Sequence, residues 1–282
     1  MMNKIIKNIK NARMIIKHIV LLVVSLLTLV PILWILISSF KSYDEIMTIP
    51  ATLLPQNPTL ASYIGMWSRA PFEQYTFNSI LVSLATSILT LLICVFAAYG
   101  FARFRFRGAK IILTIFLLSQ MFPGSSIIIP VTQLILKFGL FNTRTGLSLV
   151  YTAFFIPFCT WLLYGYFKTI PKELEEAAFI DGCSRIRSLF RIILPISIPG
   201  IGAVFIFTFL GAWNEFLFAY VLTNSDNVRT ISVGVANFIG QYVTEWDKLS
   251  AAAVLFAIPP LILFFLLDKS LIKGLAAGSV KE

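Results

Sequence analysis

QYTFNSILVSLATSILTLLICVFAAYGFA, residues Gln74–Ala102, contains no Asp, Glu, Lys or Arg from end to end. A helix needs about 20 mostly apolar residues to cross the hydrocarbon of a bilayer, whereas a membrane strand needs about 10 in an alternating pattern. This run is too long and too uniformly apolar for a strand, and it predicts a spanning helix. Ile19–Phe40, Ile111–Leu136, Thr145–Phe167 and Leu249–Leu267 read the same way. A sixth run, Ile192–Asn214, is followed by the single acid Glu215 and then by apolar residues to Val221. The reading is an all-α integral membrane protein with six transmembrane helices in one domain over residues 1–282. The spans fall at approximately 19–40, 77–100, 111–134, 146–167, 198–222 and 249–268, with an inner loop at 169–195 and a tail at 269–282.

Composition agrees. Hydrophobic residues make up 58% of the chain and charged residues 13%, where a soluble domain carries about 25% charged residues. So much apolar surface has no hiding place in a water-soluble fold. The net charge of +10 raises the question of nucleic acid, but the basic residues punctuate the spans and form no single patch. Five precede the first span (Lys4, Lys7, Lys10, Arg13 and Lys17). Arg103, Arg105, Arg107 and Lys110 follow the second span, and Lys168, Lys172, Arg185, Arg187 and Arg191 follow the fourth. Lys269, Lys273 and Lys281 lie in the tail. The alternate loops hold only Lys41, Arg69, Lys137, Arg144, Arg229 and Lys248. The excess of Lys and Arg marks the cytoplasmic side, so both termini are expected inside and no nucleic-acid partner is expected. The first span is expected to be a retained anchor, because its apolar run exceeds the roughly 7–15 residues of a cleavable signal core. Three cysteines and one histidine do not make a Cys/His metal cluster, and no GxxxxGK[ST] phosphate loop occurs.

Two loops and one span carry more detail. In the long outer loop 41–73, Leu60, Ile64 and Trp67 recur at helical spacing and suggest a short surface helix. Pro123, Gly124 and Pro130 predict a kink or break in the third span. In the inner loop, Pro171 and the acids Glu173, Glu175 and Glu176 suit a helix start. Gly182 suits its end, and Ser184 can cap a second helix rich in arginine. Ala177, Ala178, Phe179 and Ile180 lie between these charges. They suit a docking knob for another protein or an amphipathic helix resting on lipid headgroups.

The string Glu176-Ala177-Ala178, three residues ending in Asp181, Gly182, nine residues, then Ile192, one residue and Leu194-Pro195 resembles the EAA motif of ABC importer permeases. Asn78-Ser79 opening the second span, Ala98 to Gly108 closing it, and Trp213-Asn214-Glu215-Phe216 in the fifth look like the carbohydrate-importer branch. The tail Gly274 to Lys281 is similar to that of the six-span maltose-type subunit. Cys183 follows the motif glycine where that family mostly has Ala. The resemblance implies a type I ABC importer permease fold with a cytoplasmic coupling helix. Glu176, Ala177, Ala178, Asp181, Gly182, Leu194 and Pro195 would then couple the chain to an ATPase. It further implies a second permease, two ATP-binding-cassette subunits that hold the ATP, an extracytoplasmic sugar-binding protein and a surrounding lipid membrane. This chain itself would hold no cofactor and catalyse nothing.

An intramembrane acid usually faces a cavity or a partner. Glu215, with Trp213 and Asn214 beside it, suits either a sugar contact or a structural carboxylate. Gln120, Gln133 and Thr208 are further candidates for a polar lining. An ion-driven carrier would be expected to show related halves and several intramembrane acids, and a membrane enzyme clustered His, Asp or Glu. Neither pattern is present in the sequence, and the tail and second-span strings argue against an amino-acid or peptide permease. Single cysteines at Ser62 and Ser188, in a chain whose three native cysteines are replaced, are expected to react oppositely with a membrane-impermeant thiol reagent. Labelling of both from outside intact cells contradicts the six-span topology.

Overall fold

The computed structural model describes the backbone of residues 2–240 and 242–279, and the side chains of residues 14–240 and 242–266. Along the chain the helices are α1 (Met2–Ser38), α2 (Tyr43–Met47), α3 (Ala61–Arg69), α4 (Phe72–Arg103), α5 (Ala109–Ser119), α6 (Gly124–Lys137) and α7 (Arg144–Thr169). Then follow α8 (Glu173–Ile180), α9 (Arg185–Ser188), a π-helical turn (Leu189–Ile193), α10 (Leu194–Ile196), α11 (Ile198–Asn214), α12 (Leu217–Leu222), α13 (Ile231–Ala236) and α14 (Trp246–Ser279). Among the described residues there is no strand, only an isolated bridge between Ile239 and Thr244. The tail read as Gly274 to Lys281 lies outside the residues whose side chains are described.

Four helices are long and apolar enough to cross a membrane: Met14–Ser38, Phe72–Arg103, Arg144–Thr169 and Trp246–Leu266. Two further segments are bent pairs, Ala109–Ser119 with Gly124–Lys137 at 101° and Arg185–Ile196 with Ile198–Asn214 at 78°. Six spans result when each bent pair counts as one. The break in the third falls at the Gln120–Pro123 turn, where Pro123 has no N–H to continue the ladder and stands as N-cap of α6 with φ −67° and ψ 136°. The fifth is not one continuous helix, as the sequence reading had it: α11 stops at Asn214 and α12 begins at Leu217.

The chain forms two compact units. The first comprises residues 1–70 and 237–255. Its α1 presents apolar side chains outward from Met14 to Leu36, as a helix in contact with hydrocarbon requires. The loop after it is tied by polar contacts. Buried Lys41 donates from Nζ to the Thr52 carbonyl and lies 5.0 Å from the centroid of the Trp34 ring. Glu45 accepts from the Gln56 amide at 2.8 Å and the Thr52 hydroxyl at 3.1 Å. In α3, Leu60 at the N-cap, Ile64 and Trp67 lie on the exposed side.

The second unit, residues 71–236 and 256–282, is built on α4, α7 and α11. One core joins Cys94, Tyr99, Cys159, Leu163 and Phe167 with Leu189 and Ile193, and a second joins Val82, Leu147, Tyr151, Phe218 and Leu222. Small residues allow close approach between helices in a membrane. At Gly211 an added Cβ would come within 2.5 Å of the tip of the Phe155 ring, so α11 meets α7 there with glycine unless that ring moves. Asn78 and Ser79, fully buried, hold the outer loop. Asn78 Nδ2 donates to the Asn227 and Arg229 carbonyls at 3.0 and 2.8 Å, and Ser79 Oγ accepts from the Ile231 amide at 2.8 Å.

Ser62 and Ser188 are both buried, Ser62 donating to the Lys41 carbonyl at 3.2 Å. The exposed neighbours Asn57 and Arg187 are the better labelling positions, and cysteines there are expected to react from opposite sides of the membrane.

Candidate functional site

The inner loop folds as its residues dictate. Lys172 precedes α8, and Glu173, Glu175 and Glu176 occupy the first turn, where acids favour the exposed amides. At the other end Gly182 takes φ 78°. The Cys183 amide donates to the Ala178 carbonyl at 2.9 Å and the Gly182 amide to the Phe179 carbonyl at 3.1 Å. This is the paired bond pattern of a left-handed glycine stop. Nothing lies within 4 Å of a Cβ built at Gly182, so backbone conformation alone demands glycine there. Ser184 then caps α9, its Oγ accepting from the Arg187 amide at 3.4 Å.

A helix turns about 100° per residue, and α8 uses this to divide its side chains. Glu173, Glu176, Ala177 and Ile180 point outward, Ile180 with 87% of its surface exposed. Glu175 and Phe179 point inward. The two alanines of the motif part company: Ala177 is exposed, while Ala178 is half-buried and supplies the carbonyl of the glycine stop. Asp181, exposed, is the C-cap residue.

Leu194 and Pro195 are not on this outward face. Leu194 packs against the core that contains Leu189 and Ile193, and its amide reaches back to the Leu189 carbonyl across the π turn. Pro195 and Pro199 each remove an amide from the ladder, which accounts for the 78° bend between them. These residues belong to the joint that leads from α8 and α9 into the fifth span.

The contact that holds α8 is a buried ion pair. Arg103, the last residue of α4, donates from Nε to Glu175 Oε1, and the two side chains are 7% and 4% exposed. Arg103 Nη1 also donates to the Phe167 carbonyl at 2.9 Å and Nη2 to the Ile170 carbonyl at 3.2 Å, at the end of α7. The Tyr99 hydroxyl donates to Glu175 Oε2 at 2.7 Å. One guanidinium therefore joins α4, α7 and α8. Beside it a cavity of about 180 Å³ is lined by Tyr99, Arg103, Lys172, Glu176, Phe179 and Arg185.

Within the membrane, Glu215 sits in the gap between α11 and α12. Its Oε1 accepts from the Phe218 amide at 2.9 Å. Its Oε2 accepts from the Ala219 amide at 3.1 Å and from the Tyr151 hydroxyl at 2.5 Å. Its carbonyl accepts from Ser232 Oγ at 2.7 Å. Trp213 is fully buried, with Nε1 donating to the Phe256 carbonyl at 3.2 Å. Asn214 is exposed, and its amide is bound to the Leu210 carbonyl of its own helix at 2.8 Å. Trp213, Asn214 and Glu215 thus do not converge on one ligand position. Gln120 borders an apolar cavity of about 580 Å³ with Phe122, Val131, Leu134 and Phe154, and its Nε2 donates to the Phe154 carbonyl at 3.1 Å. Thr208 is buried and bound to carbonyls of its own helix.

An inner helix–glycine–helix element joined to a bundle of spans narrows the identity, and comparison with known proteins decides it. Residues 91–276 match the family described as binding-protein-dependent transport system inner membrane component. The chain belongs to that family. This permease is 37% identical over 253 residues to the sulfoquinovosyl glycerol transport system permease protein SmoH of Agrobacterium fabrum, a match covering 90% of this chain and 89% of the relative. It is 36% identical over 269 residues to the diacetylchitobiose uptake system permease protein NgcG of Streptomyces coelicolor, covering 95% and 87%. Its fold is that of a bacterial ABC transporter involved in the import of the acidic polysaccharide alginate, with a TM-score of 0.77 at 22% identity, covering 90% of this chain and 95% of the other. It is a multi-pass membrane protein and a transporter component.

The sequence reading of the permease missed Glu175 and Arg103 as a pair. Glu175 was one of three acids at a helix start and Arg103 one of many inner basic residues. The available signal was the Tyr99–Arg103 spacing of four residues, which places both on one face at the inner end of a span.

Glu215→Gln replaces one acceptor oxygen by an NH2 group, and so cannot accept from two amides and a hydroxyl together. The variant is expected to lower the recovery and thermal midpoint of the purified permease, consistent with a cap contribution of about 1–2 kcal/mol. Transport per recovered complex is expected to change little. An unchanged midpoint with transport lost would place Glu215 on the substrate path instead.

Proposed function

We propose that this permease forms one half of the translocation pathway of an ATP-driven importer for a sugar or related polyol, and that the outward face of α8 seats against an ATPase subunit. The single observation behind the second statement is the outward face itself. Ala177, a small residue, lies beside the almost fully exposed Ile180, with Glu173 and Glu176 flanking them, on a helix held rigidly from behind. An exposed apolar patch with a charged rim suits a protein partner. Glu176, Ala177, Ala178, Asp181 and Gly182 build that surface and its stop, and Leu194 and Pro195 carry it into the fifth span.

The sugar assignment rests on the relatives, whose names refer to sulfoquinovosyl glycerol and diacetylchitobiose uptake. The partners on this reading are a second permease of different sequence, two ATPase subunits that bind the nucleotide, and an extracytoplasmic sugar-binding protein. On this reading both termini are cytoplasmic, supported by the excess of Lys and Arg in the alternate segments that include them. The pathway opens outward when ATP closes the ATPase pair and inward after hydrolysis. Asn214 is the exposed polar group nearest the break of the fifth span and Gln120 the polar group bordering the larger cavity. They are better placed to meet a hydroxylated ligand than Glu215, whose oxygens are already engaged.

Ala177→Trp fills the docking face, and overpacking typically costs about 1–3 kcal/mol. Gly182→Val forces a β-branched residue to positive φ, at a cost of about 1–3 kcal/mol. Both variants are expected to insert in the membrane, to release the ATPase on solubilisation and to abolish uptake. Glu176→Lys is expected to retain some complex but transport poorly. Pull-down of the ATPase alongside sugar uptake in cells measures this. Normal uptake and full ATPase retention by Gly182→Val would make α8 a helix lying on lipid headgroups.

A further inference from the structure

We propose that Arg103 and Glu175 are the positioning residues through which movement of α8 reaches the second and fourth spans. The inference rests on the reading of α8 as the ATPase-contacting helix and adds the route by which its displacement enters the membrane. Two connections leave α8. One is the chain, through the left-handed turn at Gly182, the Ser184-capped α9, the π turn and the 78° bend into α11. That connection serves the fifth span. The other is the guanidinium of Arg103, which binds Glu175 of α8 and the Phe167 and Ile170 carbonyls at the end of α7 while belonging to α4.

Packing does not replace this second connection. Phe179 of α8 borders a cavity of about 180 Å³ that Tyr99 and Arg103 of α4 also line, so packing beside the ion pair is incomplete. Across it Arg185 lies 4.8 Å from the Phe104 ring and 5.8 Å from the Phe179 ring. A cation over a ring face makes no fixed donor–acceptor pairing and tolerates sliding. The ion pair does not. Its three N–H groups have fixed directions, one acceptor lies on α8 and two at the end of α7, and the pair is almost wholly withdrawn from water. Tyr99, one turn earlier on α4, fixes the second oxygen of Glu175. A displacement of α8 must therefore carry the inner ends of α4 and α7 with it or break a buried charge pair.

The test uses the complete importer, reconstituted in proteoliposomes with its ATPase subunits and loaded binding protein, with uptake and ATP hydrolysis measured together. Glu175→Gln removes one charge of the joint. A second variant, Arg103→Met combined with Glu175→Leu, removes the joint without leaving an unpaired buried charge, a replacement that folds generally tolerate. Both are expected to retain the ATPase subunits and to hydrolyse ATP within about twofold of the parent, while sugar moved per ATP falls by roughly tenfold or more, the usual size of a lost coupling between sites. Arg103→Lys, which keeps the charge but not the fork, is expected to fall between. An unchanged ratio in the double variant with the complex intact overturns the proposal. So does loss of the ATPase from that variant, which would make the pair a support for the docking face alone. Ala177→Trp run in parallel separates the two readings: if it too keeps both ATPase and uptake, α8 is not the docking helix at all.

Discussion

Hydrocarbon offers no water to backbone groups, so a helix can stop inside the membrane only where something else satisfies its ends. The second unit of this permease is organised by that constraint. At the third-span break, Pro123 brings no amide, and the Gln120 and Met121 amides turn back to the Leu117 and Leu118 carbonyls at 3.2 and 3.0 Å. At the entry to α11, Pro195 and Pro199 remove two donors, and the Ser197 amide is shared between the Ile193 and Leu194 carbonyls at 2.9 and 3.0 Å. In the fifth span, Glu215 accepts the amides that open α12. Each break is therefore a built joint, and two of them carry bends of 101° and 78°.

The same reasoning explains what was legible in the sequence. Long charge-free runs announce helices because nothing else can be made of them in lipid, and Gly182 and Ser184 announce a stop and a start through their own local chemistry. The break at Glu215 was not legible. An isolated acid in an apolar run looks like a ligand contact, and only its distance to the Phe218 and Ala219 amides shows that it caps a helix. Trp213 was misleading for a related reason: an aromatic ring suits a sugar face and a packed helix interface equally, and its burial against Phe209 and Phe256 decides for the latter. Asn78 and Ser79 stood out as part of a family string with no physical role attached. Their hydrogen bonds to residues about 150 positions later in the chain supply that role, and no local pattern could have done so.

The inner loop shows how adjacent residues of one type come to differ. Glu175 and Glu176 are about 100° apart on α8, which is enough to bury one in an ion pair and leave the other on the outward face. The family motif begins at the exposed glutamate, so motif matching draws attention to the residue left on the surface and passes over the one that meets the rest of the chain. Each α8 carboxylate has a physical assignment in the structure. Glu173 and Glu176 favour the helix N-terminus and rim the apolar face, and Glu175 neutralises a guanidinium that would otherwise be buried alone.

That the connection behind α8 is polar, and not simply more apolar packing, has a mechanical consequence. Apolar contacts are non-directional, and a helix resting on them alone has no single donor–acceptor geometry to keep. A guanidinium with three acceptors has one geometry, and its alternative is a buried charge without a partner, which generally costs about 3–5 kcal/mol. Such a joint is either made or broken, with little between. A small displacement imposed on α8 from outside is then passed on whole to α4 and α7, and the cavity beside the joint gives Phe179 and Arg185 room to rearrange while it is passed.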